Sequence, residues 1–158
     1  MADKSKSIHQ FKAKLINGSD KNLSDYKDKV LLVVNIASAC GFAPQLKELQ
    51  DLRDEYNAQG FEVLGFPSND FGRQEPLDGK EIDTFCEVNY GVKFPVFDKI
   101  MVRGSHAHPL FKFLTQKSTP RWNFHKYLIN RDGEVVDYFF PFTTPLSSKV
   151  KKKIQKLL

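Results

Sequence analysis

The chain has 158 residues, of which 41% are hydrophobic and 13% aromatic, so it is neither disordered nor too small to bury a sizeable core. No run approaches the roughly 20 apolar residues of a membrane span, and the polar opening MADKSKSIHQ lacks the apolar segment of a signal peptide, so a cytoplasmic protein is expected. The net charge of +5 owes much to KVKKKIQKLL at the C-terminus, where Val150, Ile154 and Leu157 share one helical face; the lysines there read as a solvated face rather than a nucleic-acid stripe.

In chain order, Phe11–Ile16 and Asn22–Tyr26 flank Asn17-Gly18-Ser19-Asp20, a pattern that predicts an N-terminal hairpin. Val30–Ile36 is nearly continuous apolar and β-branched, as a strand buried on both faces must be. After the turn-like ASACGFAP, Leu46, Leu49, Leu52 and Tyr56 recur at helical spacing, which predicts a helix entered at Pro44 and ended near Gly60. Phe61–Phe66 is the next strand. The polar loop SNDFGRQEPLDGK leads to a helix over Lys80–Val88, with Asp78 as its expected cap and Gly91 at its end.

Val92–Ile100 reads as a strand entered through Pro95, on a sheet edge if paired at all. A short helix over Leu110–Leu114 follows. Lys126–Ile129 and Glu134–Phe140 form a hairpin around Asn130-Arg131-Asp132-Gly133, and a last helix starts at Thr144-Pro145. Strands that alternate with helices argue an α/β fold with a mixed central β-sheet flanked by α-helices. No boundary or repeat interrupts it, so residues 1–158 are expected to form a single domain.

Two cysteines are too few for a disulfide scaffold. Neither has a second Cys or a His at zinc-finger spacing, and His106 and His108 are an isolated pair, so no metal or other cofactor is expected. Cys40 lies just past a buried central strand and just before a helix, where α/β sheets collect their reactive groups. Unpaired N–H groups at a helix start favour a thiolate, and Ala39 and Gly41 leave room for a substrate oxygen. On these grounds alone Cys40 is either a reactive thiol or buried filler. Position 43 is Ala, which excludes a CxxC centre. Gln74 reads equally as surface, and Trp122-Asn123 as a loop anchor before a strand.

Three motifs change that balance. VNIASACGFAPQ, FPSNDFGRQEP and WNFHKYLINRDGEVV resemble, in order, the three motifs of the glutathione peroxidase family in its cysteine form. The resemblance runs from about Phe11 to Pro145. It implies a thioredoxin-like fold and a thiol peroxidase in which Cys40 attacks hydrogen peroxide or an organic hydroperoxide and becomes a sulfenic acid. Gln74, Trp122 and Asn123 match the family's remaining catalytic positions, with their N–H groups as donors to the thiolate and to the leaving oxygen.

The resemblance also bears on how the sulfenic acid is reduced, either by glutathione or through a second cysteine and thioredoxin. Cys86 in KEIDTFCEVNYG is the one internal candidate for a resolving thiol, since Ser68 replaces a cysteine found in some relatives. It directly follows Phe85, one residue short of the resolving position of two-cysteine members, which on a helix turns the side chain by about 100°. The alternative is an inert buried thiol. The short Thr115–Arg121 segment lacks the insertion of tetrameric relatives, which implies a monomer with an open site. Tyr138 stands where an arginine is common in the family, and His125 where a threonine is frequent; the His125 side chain is expected to face solvent. A second functional class, a peroxide sensor that passes its disulfide to a partner protein, uses the same Cys40 oxidation.

Overall fold

A computed structural model of the protein describes residues 7–158. The reading that no apolar leader opens the chain rests mostly on residues 1–6, outside the described residues. In chain order the elements are β1 (Lys12–Lys14), β2 (Asp20–Asn22), β3 (Val30–Ile36), α1 (Gln45–Tyr56), β4 (Phe61–Pro67), α2 (Lys80–Tyr90), α3 (Pro109–Leu114), β5 (Lys126–Ile129), β6 (Val135–Phe139) and α4 (Ser148–Leu157). Among the described residues no helix is long and apolar enough to cross a membrane.

Every residue of β3 is buried, which is why its sequence can be apolar without alternation. β3 pairs in parallel with β4, from Val30 opposite Phe61 to Ile36 opposite Pro67, and antiparallel with β5. β6 adds antiparallel to β5, giving the order β4-β3-β5-β6 of a thioredoxin-like mixed sheet. One face carries Val30, Leu32 and Val34 against Leu46, Leu49 and Leu52 of α1, Ile82 of α2, and Val150 and Ile154 of α4. The other packs Leu31 and Val33 against Leu110, Phe111 and Leu114 of α3 and against Ile8 and Leu23. Truncating one of the fully buried α1 leucines to Ala should cost about 2–5 kcal/mol.

Four sequence expectations are corrected. The N-terminal hairpin forms, but its second arm turns into a 3-10 helix at Leu23–Tyr26, which lets Leu23 and Tyr26 both turn inward. Val92–Ile100 is not a strand: only Val96 and Phe97 make isolated bridges, to Gly65 and Leu15. Pro95 has no N–H to donate, and its carbonyl takes the Gly65 amide at 3.0 Å. A side chain at Gly65 would meet Phe94 at 2.9 Å, so the close approach requires glycine. Asp78 does not cap α2 but pairs with Lys99 at 2.6 Å. Thr144–Ser147 forms a closed turn, and Ser147, accepting from the Val150 amide at 3.4 Å, caps α4 in place of Thr144.

Candidate active site

Three loops meet at the carboxyl ends of β3 and β4 and the start of β5. The first carries Cys40 beyond β3. α1 begins only at Gln45, so the thiol meets the amides of the intervening turn rather than those of the helix itself. The Phe42 N–H donates to Cys40 Sγ at 3.3 Å, and the Ala43 N–H to the Cys40 carbonyl at 2.9 Å. The thiol is 5% exposed, at the floor of an open cleft of about 310 Å³ lined by Cys40, Gly41, Phe42, Gln74 and Trp122.

The second loop follows β4 and brings in Gln74. It is fastened to the first loop at two points. The Ala39 N–H donates to the Gln74 carbonyl at 2.8 Å, and the buried Glu75 carboxylate accepts from the Ser38 N–H at 3.1 Å and from the Ser38 hydroxyl. Asn69 Oδ1 accepts the Glu75 N–H at 3.0 Å, and Lys99 Nζ donates to the carbonyls of Glu75 and Leu77. Burial raises the Glu75 carboxyl above its ordinary value, partly opposed by Ser38 and Lys99. Gly72 and Arg73 both adopt positive φ, so the chain reverses tightly just before Gln74.

The third loop precedes β5 and carries Trp122 and Asn123. Trp122 lies against Phe71, with ring centroids 6.1 Å apart, and against Gly72, where any Cβ would meet the indole at 2.9 Å. Asn35, buried on β3, holds this loop twice: its Nδ2 donates to the Trp122 carbonyl at 3.1 Å, and its carbonyl accepts the Phe124 N–H at 2.6 Å. Asn123 is fully buried and does not line the cleft. Its Nδ2 donates to Gln74 Oε1 at 3.2 Å, so its link to the cleft runs through Gln74.

Cys40, Gln74 and Trp122 thus share one cleft, with Asn123 behind Gln74. Cys86 does not line it. This second thiol lies in α2, 2% exposed, and burial pushes it up to about 12, with Glu75 and Asp83 adding to the effect. Both cysteines are free. His125 does not face solvent: it is fully buried, 3.1 Å from the Ser118 hydroxyl and stacked on Tyr138 at 6.0 Å. Tyr138, at a position where an arginine is common in the family the motifs resemble, therefore forms one wall around the imidazole, which burial and then Lys126 push down to about 4. Ser38, Glu75 and Asn35 were not singled out from the sequence. The one available signal was that Glu75, an acidic residue, stands beside Gln74 in a motif rich in turn formers. Among the described residues no group of three or more His, Cys, Asp or Glu is placed to hold a metal ion.

The sequence model of the family described as glutathione peroxidase matches residues 8–115. A glutathione peroxidase homolog, BsaA, from Halalkalibacterium halodurans is 55% identical over 158 residues, covering 96% of this chain and 99% of the relative. The crystal structure of Trgpx in apo form superposes with a TM-score of 0.78 at 37% identity, covering 96% of this chain and 94% of that one. A thioredoxin family thiol:disulfide interchange protein from Chlorobium tepidum matches with a TM-score of 0.68 at 14% identity, covering 93% of this chain and 92% of that one, a likeness of fold alone.

Proposed function

The chain belongs to the glutathione peroxidase family, and on that premise we propose that it reduces hydrogen peroxide and organic hydroperoxides to water or alcohol, with Cys40 as the attacking thiol. The observation that carries this reading is the convergence of Cys40, Gln74 and Trp122 on one open cleft, with the Phe42 amide on the sulfur. The thiolate attacks the terminal peroxide oxygen. An S–O bond forms, the O–O bond breaks, and the alkoxide or hydroxide leaves with a proton as alcohol or water; sulfur is oxidised to the sulfenic acid and the peroxide is reduced. The Gln74 amide and the Trp122 indole are the donors available for charge on the leaving oxygen. Asn123 acts by holding Gln74.

Reduction of the sulfenic acid follows one of two routes. Glutathione attacks it directly, or Cys86 attacks it, forming an S–S bond and releasing water, after which the disulfide passes to thioredoxin. Cys86 is 2% exposed and lies outside the cleft that holds Cys40, so the second route requires α2 to open and bring the two Cα atoms within the roughly 7 Å of a disulfide. Its anchoring supports that: only Ile82 and Cys86 of α2 are buried, and such thinly packed segments open at low cost. Two free thiols suit a reducing cytoplasm, and the short 115–121 segment suits a monomer acting as one domain in the defence against oxidative stress. The test is steady-state peroxide reduction with thioredoxin or glutathione, using the native protein and Cys86→Ser. Loss of the thioredoxin-driven rate in the variant is expected; an equal rate rules Cys86 out, and no peroxide reduction with either reductant rules out the reading.

A further inference from the structure

Lys126, the first residue of β5, is fully buried, a rare position for a lysine. It forms no ion pair among the described residues. Its Nζ donates instead to three main-chain carbonyls: Phe124 at 2.7 Å, Pro141 at 3.2 Å and Phe140 at 3.5 Å. Pro141 also accepts from Nε2 of Gln45 at 2.8 Å. One polar chain therefore runs from the first residue of α1, through Pro141 and Lys126, to Phe124, the residue after Asn123.

Phe124 needs such a hold. It is a bulky residue at φ +69°, in the left-handed region that non-glycine residues rarely adopt. Its N–H is taken by Asn35 and its carbonyl by Lys126. Trp122 and Asn123 belong to the same turn, so the direction of both side chains depends on that clamp.

We infer that Lys126 is a positioning residue for peroxide reduction, its ammonium holding the Phe124 turn so that Trp122 and Asn123 stay in place against Gln74 and Cys40. The inference rests on the peroxidase reading above. An apolar side chain here would leave the Phe124 carbonyl without its donor, so the ammonium serves stability as well as position, and only a readout at the turn separates the two. Burial pushes the ammonium down to about 7, opposed by Glu48 on α1, while the adjacent His125 is neutral over the same range. Once deprotonated, the amine has two N–H groups for three carbonyls, and the hold on the turn weakens.

Trp122 is the one tryptophan in the chain, so its fluorescence reports this turn directly. The experiment compares native protein with Lys126→Met in three readouts: melting temperature, acrylamide quenching of Trp122, and single-turnover oxidation of Cys40 by hydrogen peroxide. A lowered melting temperature in protein still folded at the assay temperature, stronger quenching and an oxidation rate lowered about ten- to a hundredfold are expected. A native oxidation rate overturns the inference, and so does a slowed rate with unchanged quenching. If Lys126→Met does not fold, Trp122 emission is titrated in Cys40→Ser protein that keeps Lys126. A one-proton change with a midpoint near neutrality is expected, and a flat signal overturns the inference. Failure of native Cys40 to oxidise strikes the peroxidase reading instead, since quenching tests the clamp on its own.

Discussion

Asn123 Nδ2 donates to Gln74 Oε1 across 3.2 Å, joining two residues 49 positions apart in the chain. With its carbonyl end taken, Gln74 has its NH₂ group left for the cleft. Asn123→Asp replaces the donor by an acceptor and removes the reason for that orientation. Single-turnover oxidation of Cys40 should fall about a hundredfold, the usual size for loss of one aligned donor. An unchanged rate would show that the Gln74 orientation does not matter.

Gly72 and Trp122 are coupled by space. Gly72 has φ +65°, and a Cβ there meets the indole at 2.9 Å. Gly72→Ala should cost about 1–2 kcal/mol from the backbone alone and push the indole from the cleft. A changed Trp122 emission spectrum together with slower Cys40 oxidation is expected. Native emission in this variant contradicts the contact.

Much of this arrangement was legible in the sequence, and the limits have physical causes. β3 and α1 could be read because burial on both faces leaves a continuous apolar run, and burial on one leaves a period of three to four. Cys40, Gln74, Trp122 and Asn123 were found through motif resemblance, not periodicity. Residues 92–100 misled because their apolar residues alternate like a strand, whereas from Pro95 onward their backbone hydrogen bonds are shared between Lys14 and Ile16 on one side and Gly65 and Pro67 of β4 on the other, with no continuous ladder to either. His125 and Lys126 misled or went unnoticed because polar residues are buried only where the fold brings groups that satisfy them. Ser118, Phe124 and Pro141 supply those partners, and none is marked as such in the sequence.

Glu75 ties stability to pH. Burial is the largest influence on its carboxyl and raises it above the ordinary value of 4.5. The native state then holds this proton more tightly than the unfolded chain. Between the ordinary and the raised value, stability falls as pH rises; above the raised value, the loss is complete and the curve levels. Melting temperatures across the acid range should show this slope in native protein and not in Glu75→Gln. The same slope in both excludes Glu75 as its source. The variant offers one acceptor to two Ser38 donors, so Cys40 oxidation should also slow several-fold.

Cys86 should resist thiol reagents. Burial pushes it up to about 12, which leaves almost no thiolate at neutral pH, while Cys40 opens onto a cleft. Brief alkylation followed by peptide mapping should label Cys40 first and Cys86 only after mild denaturant opens α2. Equal labelling in native conditions contradicts the burial of Cys86 and makes α2 open at rest.

Whether Cys40 attacks peroxide is tested most directly by rapid mixing of the reduced proteins with one equivalent of hydrogen peroxide and no added reductant. Native protein and Cys86→Ser should each consume the peroxide in a fast phase, and the mass of Cys86→Ser should increase by one oxygen located at Cys40. Cys40→Ser should show no fast phase. A fast phase of native amplitude in Cys40→Ser contradicts the account.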